Sequence, residues 1–202
     1  MDDISAVDIS STVGLVAMVL FTVNILLGLL VSTNYNPARD WPRKKLPVPL
    51  WRIHNWNAYL ALGVAVLHPV ILLFGKQNPR FVVTDVLFPI HSPGQTLYNN
   101  LGALTFYLFV FVVVTSYLRP RLRYRPWKKL HYTAYAAALV MFVHGTLIDQ
   151  NLKNQTPDFL DGEKLLVEGC FVLVVAATIW RMRRGTEKQR YAAAKAAGKK
   201  AA

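Results

Sequence analysis

The sequence predicts an all-α protein, an integral membrane bundle of five transmembrane helices, and three observations predict it. Hydrophobic residues make up 53% of the 202 residues and charged residues only 17%, with a mean hydropathy of +0.29. A soluble domain of this length is rarely so apolar. The apolar residues are also gathered into five runs, each long enough to cross roughly 30 Å of hydrocarbon. Finally, the lysines and arginines concentrate in alternate connecting segments, the pattern that membrane topology imposes.

The first span is expected from about Ile9 to Val31, with Asn24 and Gly28 as its notable polar or small interruptions. A proline-punctuated loop carrying Arg39, Arg43, Lys44 and Lys45 follows, then a second span from about Arg52 to Phe74. The connection from Gly75 to Thr96 contains Pro79, Pro89 and Pro93, and its apolar centre at Phe81–Ile90 suits a short interfacial helix. About ten residues are too few to span a bilayer. The third span is expected from about Leu97 to Leu118 and ends in RPRLRYRPWKK, where Arg119, Arg121, Arg123, Arg125, Lys128 and Lys129 crowd a tight turn. The fourth runs from about Trp127 to Ile148. An acidic loop follows, with Asp149, Asp158, Asp161 and Glu163 against Lys153 and Lys164. The fifth span, about Leu165 to Trp180, gives way to a basic, alanine-rich tail that anionic headgroups would attract. Two regions result: a membrane domain over residues 1–185 and a tail over 186–202.

Charge sets the expected orientation. The 33–51 loop, the 119–129 loop and the tail carry the basic excess, whereas the N-terminus and the 75–96 and 149–164 loops do not. With five spans these basic segments share one side, so the N-terminus is expected outside and the C-terminus in the cytoplasm. The same placement accounts for the net charge of +12 without nucleic-acid binding. No signal peptide is expected, because Asp2, Asp3 and Asp8 stand where a basic segment would precede cleavage. The single cysteine, Cys170, excludes an intrachain disulfide, a Cys-ligated iron–sulfur cluster and c-type haem attachment through CxxCH. It reads as a small buried apolar side chain.

Four of the five histidines fall in two similar stretches, HNWNAYLALGVAVLH from His54 to His68 and HYTAYAAALVMFVH from His131 to His144. Ionisable side chains inside a bilayer are costly and usually functional. His54 and His131 lie near the inner boundary of their spans, and His68 and His144 near the outer one. Each pair along a helix is separated by a rise of about 20 Å. Because both spans run the same way, His54 is level with His131 and His68 with His144, an arrangement suited to two haems at different depths. Fourteen residues bring the second span round to within about 40° of its starting azimuth, whereas the thirteen of the fourth leave about 140°. A wide turn, a kink or a change of approach angle must absorb that difference.

Small residues line the second span between its histidines: Ala58, Ala61 and Ala65, with Gly63 nearby. A macrocycle needs that clearance, although ordinary helix packing uses it too. Ala134, Ala136, Ala137 and Ala138 occupy the fourth. Pro69 directly follows His68 and is expected to kink the helix there. His91, in an outer loop, reads as solvated or beside a propionate. Zinc is disfavoured, since the histidine pairs lie too far apart to share one ion.

From about Arg52 to Gly145, the H-x13-H and H-x12-H pairs, the SYLRPRLRYRPWKKLHYTAY passage and the LGALTFYLF opening of the third span resemble the ferric reductase-like transmembrane domain. That family is shared by ferric reductases, NADPH oxidases and the haem subunit of a bacterial methionine sulfoxide reductase. The resemblance implies two b-type haems with bis-histidine ligation, His54 and His131 holding the inner iron and His68 and His144 the outer. Arg52, Lys128 and Lys129 are candidates for the inner propionates. Many relatives have a further helix before these five, and many carry a flavin and nicotinamide domain after the last span. Only about 20 residues follow it here, too few for such a domain, and no flavin or nicotinamide site is expected in the chain. Some relatives also place an aromatic side chain midway between the haems on the fourth helix. The matching stretch is alanine, which puts an aromatic relay in doubt.

The function expected is electron transfer from a separate cytoplasmic flavin reductase to an outer acceptor: ferric iron, oxygen or a periplasmic redox protein. The setting expected is the bacterial inner membrane, in contact with lipid. The alternative is the haem b subunit of a quinol-linked oxidoreductase complex, and a third reading is a haem-free structural subunit.

Overall fold

The computed structural model describes residues 5–33, 48–76, 80–92, 94–148 and 160–201, with side chains described as far as Gly185. Asp2, Asp3, Arg39, Arg43, Lys44, Lys45, Pro79, Pro93, Asp149, Lys153, Asp158 and the side chains of the tail lie outside the described residues. Every described element is helical. Helix α1 (Ala6–Ser32) opens on a reciprocal cap in which the Asp8 N–H donates to Ser5 Oγ and the Ser5 N–H to the Asp8 carboxylate. Helix α2 (Leu50–Leu72) continues through Pro69 for three further residues. A short helix α3 (Val83–Leu87) and a 3-10 turn (Pro89–His91) fill the expected position of the small connecting helix. Helix α4 (Thr96–Tyr117) is the FYLFVFVVV segment.

The expected fourth span divides in two. Helix α5 (Tyr124–His131) ends directly on His131, and α6 (Thr133–Leu147) begins two residues later. Between them Tyr132 has ψ −14°, its N–H pointing to the Lys129 carbonyl at 3.2 Å, and the Tyr135 N–H reaches the Tyr132 carbonyl at 3.0 Å. These are the i→i+3 contacts of a tight 3-10 turn. The distortion is therefore a tightening, not the wide turn that the 13-residue spacing also allowed. Helix α7 (Gly162–Ala201) carries the fifth apolar run and continues through the tail.

Among the described residues four helices, α1, α2, α4 and the Gly162–Gly185 part of α7, are long and apolar enough to cross a membrane. Helix α6, with 15 residues, is about 22 Å long and falls short of that length. The long helices are apolar around most of their circumference, and large side chains such as Val16, Leu60, Val114 and Val172 face outward. Such all-round apolarity suits a helix whose outer face meets lipid.

Cross-helix contacts define the directions. Ser10 meets His68 and Asn24 meets His54, so α1 and α2 are antiparallel. Tyr98 meets His144 and Ser116 meets His131, so α4 runs against the α5–α6 strand of the bundle. Helix α7 starts beside the beginning of α1, where Ser11 donates to Glu163, and reaches the end of α1, where Arg181 donates to Ser32. Met18, Phe21, Ala61, Phe109, Val113, Ala137, Ala138, Met141, Phe142, Val167 and Val174 form the buried core. Basic side chains gather at one end (Arg52, Arg119, Arg121, Arg123, Lys128 and Arg181), whereas the other mixes Asp8, Asp85, Asp161 and Glu163 with Lys76, Arg80 and Lys164.

Candidate electron-transfer site

The four sequence-selected histidines come together in two layers. At the basic end, the rings of His54 on α2 and His131 on α5 lie 6.2 Å apart, centroid to centroid, and 73° from parallel. At the other end, His68 on α2 and His144 on α6 line one cavity of about 320 Å³, a volume in the range of cofactor pockets. His91 is exposed in the 3-10 turn and belongs to neither layer.

Three of the four rings are held the same way. The Nδ1 of His68 lies 2.7 Å from the Ser10 carbonyl, that of His54 3.0 Å from Asn24, and that of His144 2.8 Å from Tyr98. A carbonyl oxygen only accepts, so Nδ1 carries the proton in each case and Nε2 keeps its lone pair. Four residues beyond each carbonyl stands a glycine, Gly14, Gly28 or Gly102, against which the same ring lies. A Cβ on Gly14 would come within 2.8 Å of His68 Cε1 and Nδ1, and one on Gly102 within 2.8 Å of His144 Cε1. At Gly28 the approach to His54 Cε1 would be 3.2 Å. Because the carbonyl bond holds each ring on the glycine side, the ring cannot retreat without losing that bond. His131 is the exception: its Nδ1 lies 3.2 Å from Ser116 Oγ, a group that can give or take a hydrogen bond.

Only Asn24 and Gly28 stand out in sequence, and only as interruptions. The signal for the others is a repeated interval. Gly14 and Gly28 are 14 residues apart, matching His54 and His68 on the antiparallel partner. Gly102 and Ser116 are also 14 apart, but they serve His131 and His144, which are 13 apart. The tight turn at Tyr132 reconciles the two. Fourteen α-helical residues rise about 21 Å, and thirteen reach the same height if about three take the 3-10 rise. The faster 3-10 rotation also removes roughly 60° of the 140° phase error.

Midway between the layers, Phe21 and Phe109 pack edge to face, with centroids 4.6 Å apart and planes at 87°. Phe21 is halfway between Gly14 and Gly28, and Phe109 halfway between Gly102 and Ser116. Opposite them, Ala61 and Ala137 are fully buried. The aromatic side chains missing from the alanine stretch at the middle of α6 are thus supplied at the same depth by α1 and α4. Asn57 ties the α1–α2 pair together at this level, donating to the Leu20 carbonyl at 2.8 Å and to Asn24 Oδ1 at 3.3 Å.

At the basic end, Trp127 stacks on His131 with centroids 5.1 Å apart, and the Arg119 guanidinium sits 4.4 Å over the Trp127 ring. Trp127 Nε1 is buried with no hydrogen-bond partner; Thr22 Oγ1 shares that condition. Of the expected propionate partners, Arg52 lies against Trp51, Lys128 lies between Tyr124 and Tyr132, and Lys129 is exposed. The sequence offered no reason to place Arg119 and Trp127 ahead of them, since their column depends on the fold of the 118–124 turn.

The fold and these two layers define an all-helical integral membrane protein with paired imidazoles at two levels. Residues 13–142, nearly two thirds of the chain, match the family described as ferric reductase like transmembrane component. The chain belongs to that family of membrane oxidoreductases, in which such a domain transfers electrons across the membrane and is known to bind haem. The match begins inside α1, takes in both of its glycines and ends two residues before His144. Comparison with curated proteins and with solved structures gave no match.

Proposed function

We propose that the chain binds two b-type haems, that His54 and His131 would hold one and His68 and His144 the other, and that it carries electrons from its basic end to the opposite end. The observation that carries this reading is the 6.2 Å between the His54 and His131 rings. A metal about 2 Å from each of two facing imidazole nitrogens, with each ring centre roughly 1.2 Å beyond, needs a separation of about 6.3 Å. The Nδ1 protons of His54, His68 and His144 support it independently: they leave Nε2 free to donate to a metal and orient those three rings, the usual support for a metal-bound histidine. Trp127 Nε1–H and Arg119 are then the groups for the propionates nearest His131, a buried donor and a guanidinium already in place.

Bound there, the haems supply one-electron carriers at two depths. The chain's own residues do the rest. Glycines 14, 28 and 102 give the rings room, and carbonyls of Ser10, Asn24 and Tyr98 fix their tautomer. Phe21 and Phe109 fill the interval with packed aromatic atoms and keep water out of it. The basic end faces the cytoplasm by the topology rule, and its arginines attract the donor, a flavin reductase or its reduced, phosphate-bearing flavin. The acceptor meets the His68/His144 layer on the opposite face, as a periplasmic redox protein or a small oxidant in a bacterial inner membrane.

The test is an absorbance spectrum of the purified protein with a pyridine haemochrome count. Two b-type haems per chain, reduced by a flavin reductase with its nicotinamide, are expected. A count well below two, or haems that reduced flavin leaves oxidised, would sink the proposal; reduction by a quinol alone would instead give the donor role to the membrane pool.

A further inference from the structure

Three of the four rings meet a backbone carbonyl with a glycine four residues further along, and His131 does not. By the same interval its pair would be Val112 and residue 116 on α4, but residue 116 is a serine. The Ser116 Oγ lies 3.2 Å from His131 Nδ1. The Val112 carbonyl is instead approached at 3.1 Å by the Thr115 hydroxyl, which also donates to the Phe111 carbonyl at 2.8 Å. The two kinds of partner act differently on the ring. A carbonyl leaves it one tautomer, with Nε2 free for a metal. A hydroxyl that rotates to donate to Nδ1 leaves the proton on Nε2, and that tautomer binds no metal.

The element that carries His131 differs as well. Helix α5 has eight residues, none of them buried, and His131 is its last before the tight turn at Tyr132. His54 and His68 share the 23-residue α2, and His144 stands on α6, which buries Ala137, Ala138, Met141 and Phe142 in the core. A short helix with little buried surface opens at low cost. We propose that His131 is the displaceable ligand of the four, so that the His54/His131 centre opens on that side to a small neutral ligand of ferrous haem. The inference rests on the two-haem reading. The exchange breaks the bond from iron to His131 Nε2 and forms one from iron to the incoming ligand. No electron is transferred, and the freed imidazole stays neutral.

The experiment is a titration of the purified, dithionite-reduced protein with carbon monoxide, read in the absorbance spectrum. In wild type one haem of the two should shift. Thr115→Val combined with Ser116→Gly supplies the missing carbonyl and glycine, and should weaken carbon monoxide binding about tenfold, the lower end of what a ligand's supporting hydrogen bond is worth. Ser116 is the penultimate residue of α4, so a glycine there interrupts no helix interior. Ser116→Thr keeps the hydroxyl and should titrate as wild type does; weakening there would assign the effect to packing and overturn the inference. Should the double variant lose haem, Ser116→Ala removes the hydrogen bond to the ring and should strengthen carbon monoxide binding by a similar factor. No change or a weakening in Ser116→Ala refutes the inference, as does a double variant that titrates like wild type or a wild type in which both haems shift. Fewer than two haems per chain defeats the underlying reading, whereas two haems with no shift defeat this inference alone.

Discussion

Gly14→Ala tests whether the glycines are there for the histidines. The added Cβ would stand 2.8 Å from two atoms of the His68 ring, against about 3.5–4.0 Å for a comfortable carbon contact. The ring must move by most of an ångström, and the direction open to it stretches the 2.7 Å bond from Nδ1 to the Ser10 carbonyl. Overpacking of this kind costs about 1–3 kcal/mol, and loss of a ligand's supporting hydrogen bond costs roughly 10–100-fold in metal affinity. Gly102→Ala should behave alike at His144, and Gly28→Ala, with 3.2 Å available, should be milder and act on the His54 centre. Gly63→Ala and Gly169→Ala are the controls, since a Cβ at either meets nothing within 4 Å, and alanine favours the helix by about 1 kcal/mol. The assay is haem retained per chain after purification and on titration with an apo-haem acceptor. Full retention in Gly14→Ala and Gly102→Ala, equal to that of the controls, would refute the reasoning.

Three further outcomes are expected. His68→Ala or His144→Ala should leave one haem with its spectrum intact, and His54→Ala or His131→Ala should leave the other; loss of both from every variant would contradict two separate layers. Trp127→Phe keeps the stack on His131 but removes the buried N–H, so the His54/His131 haem should bind about tenfold or more weakly, measured by haem titration, with the second haem unaffected. Phe109→Ala should cost about 3–5 kcal/mol of stability by opening a cavity, and Phe109→Leu much less; both should retain two haems, while rapid mixing with reduced flavin reductase shows slower filling of the second.

Much of this protein is legible without coordinates because a bilayer leaves few choices. Backbone groups in hydrocarbon must pair within a helix, so apolar run length places four long helices within three residues of their expected starts, and only the broken fourth span differs. The histidine intervals likewise determine depth, since rise per residue is nearly constant in a helix. What spacing leaves open is which atoms of a neighbouring helix meet those rings. Gly14 and Gly102 are unremarkable in runs already rich in small and apolar residues, and they acquire meaning only when antiparallel packing sets Gly14 against His68 and Gly102 against His144. Trp127 and Arg119 read as ordinary members of a basic turn until the chain folds back and stacks them on His131.

By itself, then, the sequence determined the class of protein, the depth of each histidine and the division of charge between the two ends, because these follow from hydropathy, helix rise and topology, all properties of the chain taken along its length. Only the tertiary structure decided how thirteen residues do the work of fourteen, through a tight turn at Tyr132; which carbonyl or hydroxyl meets each ring; and that the aromatic layer between the two histidine pairs comes from α1 and α4. Those depend on azimuth and on contacts between helices remote in sequence, where a rotation of a few tens of degrees replaces one neighbour with another.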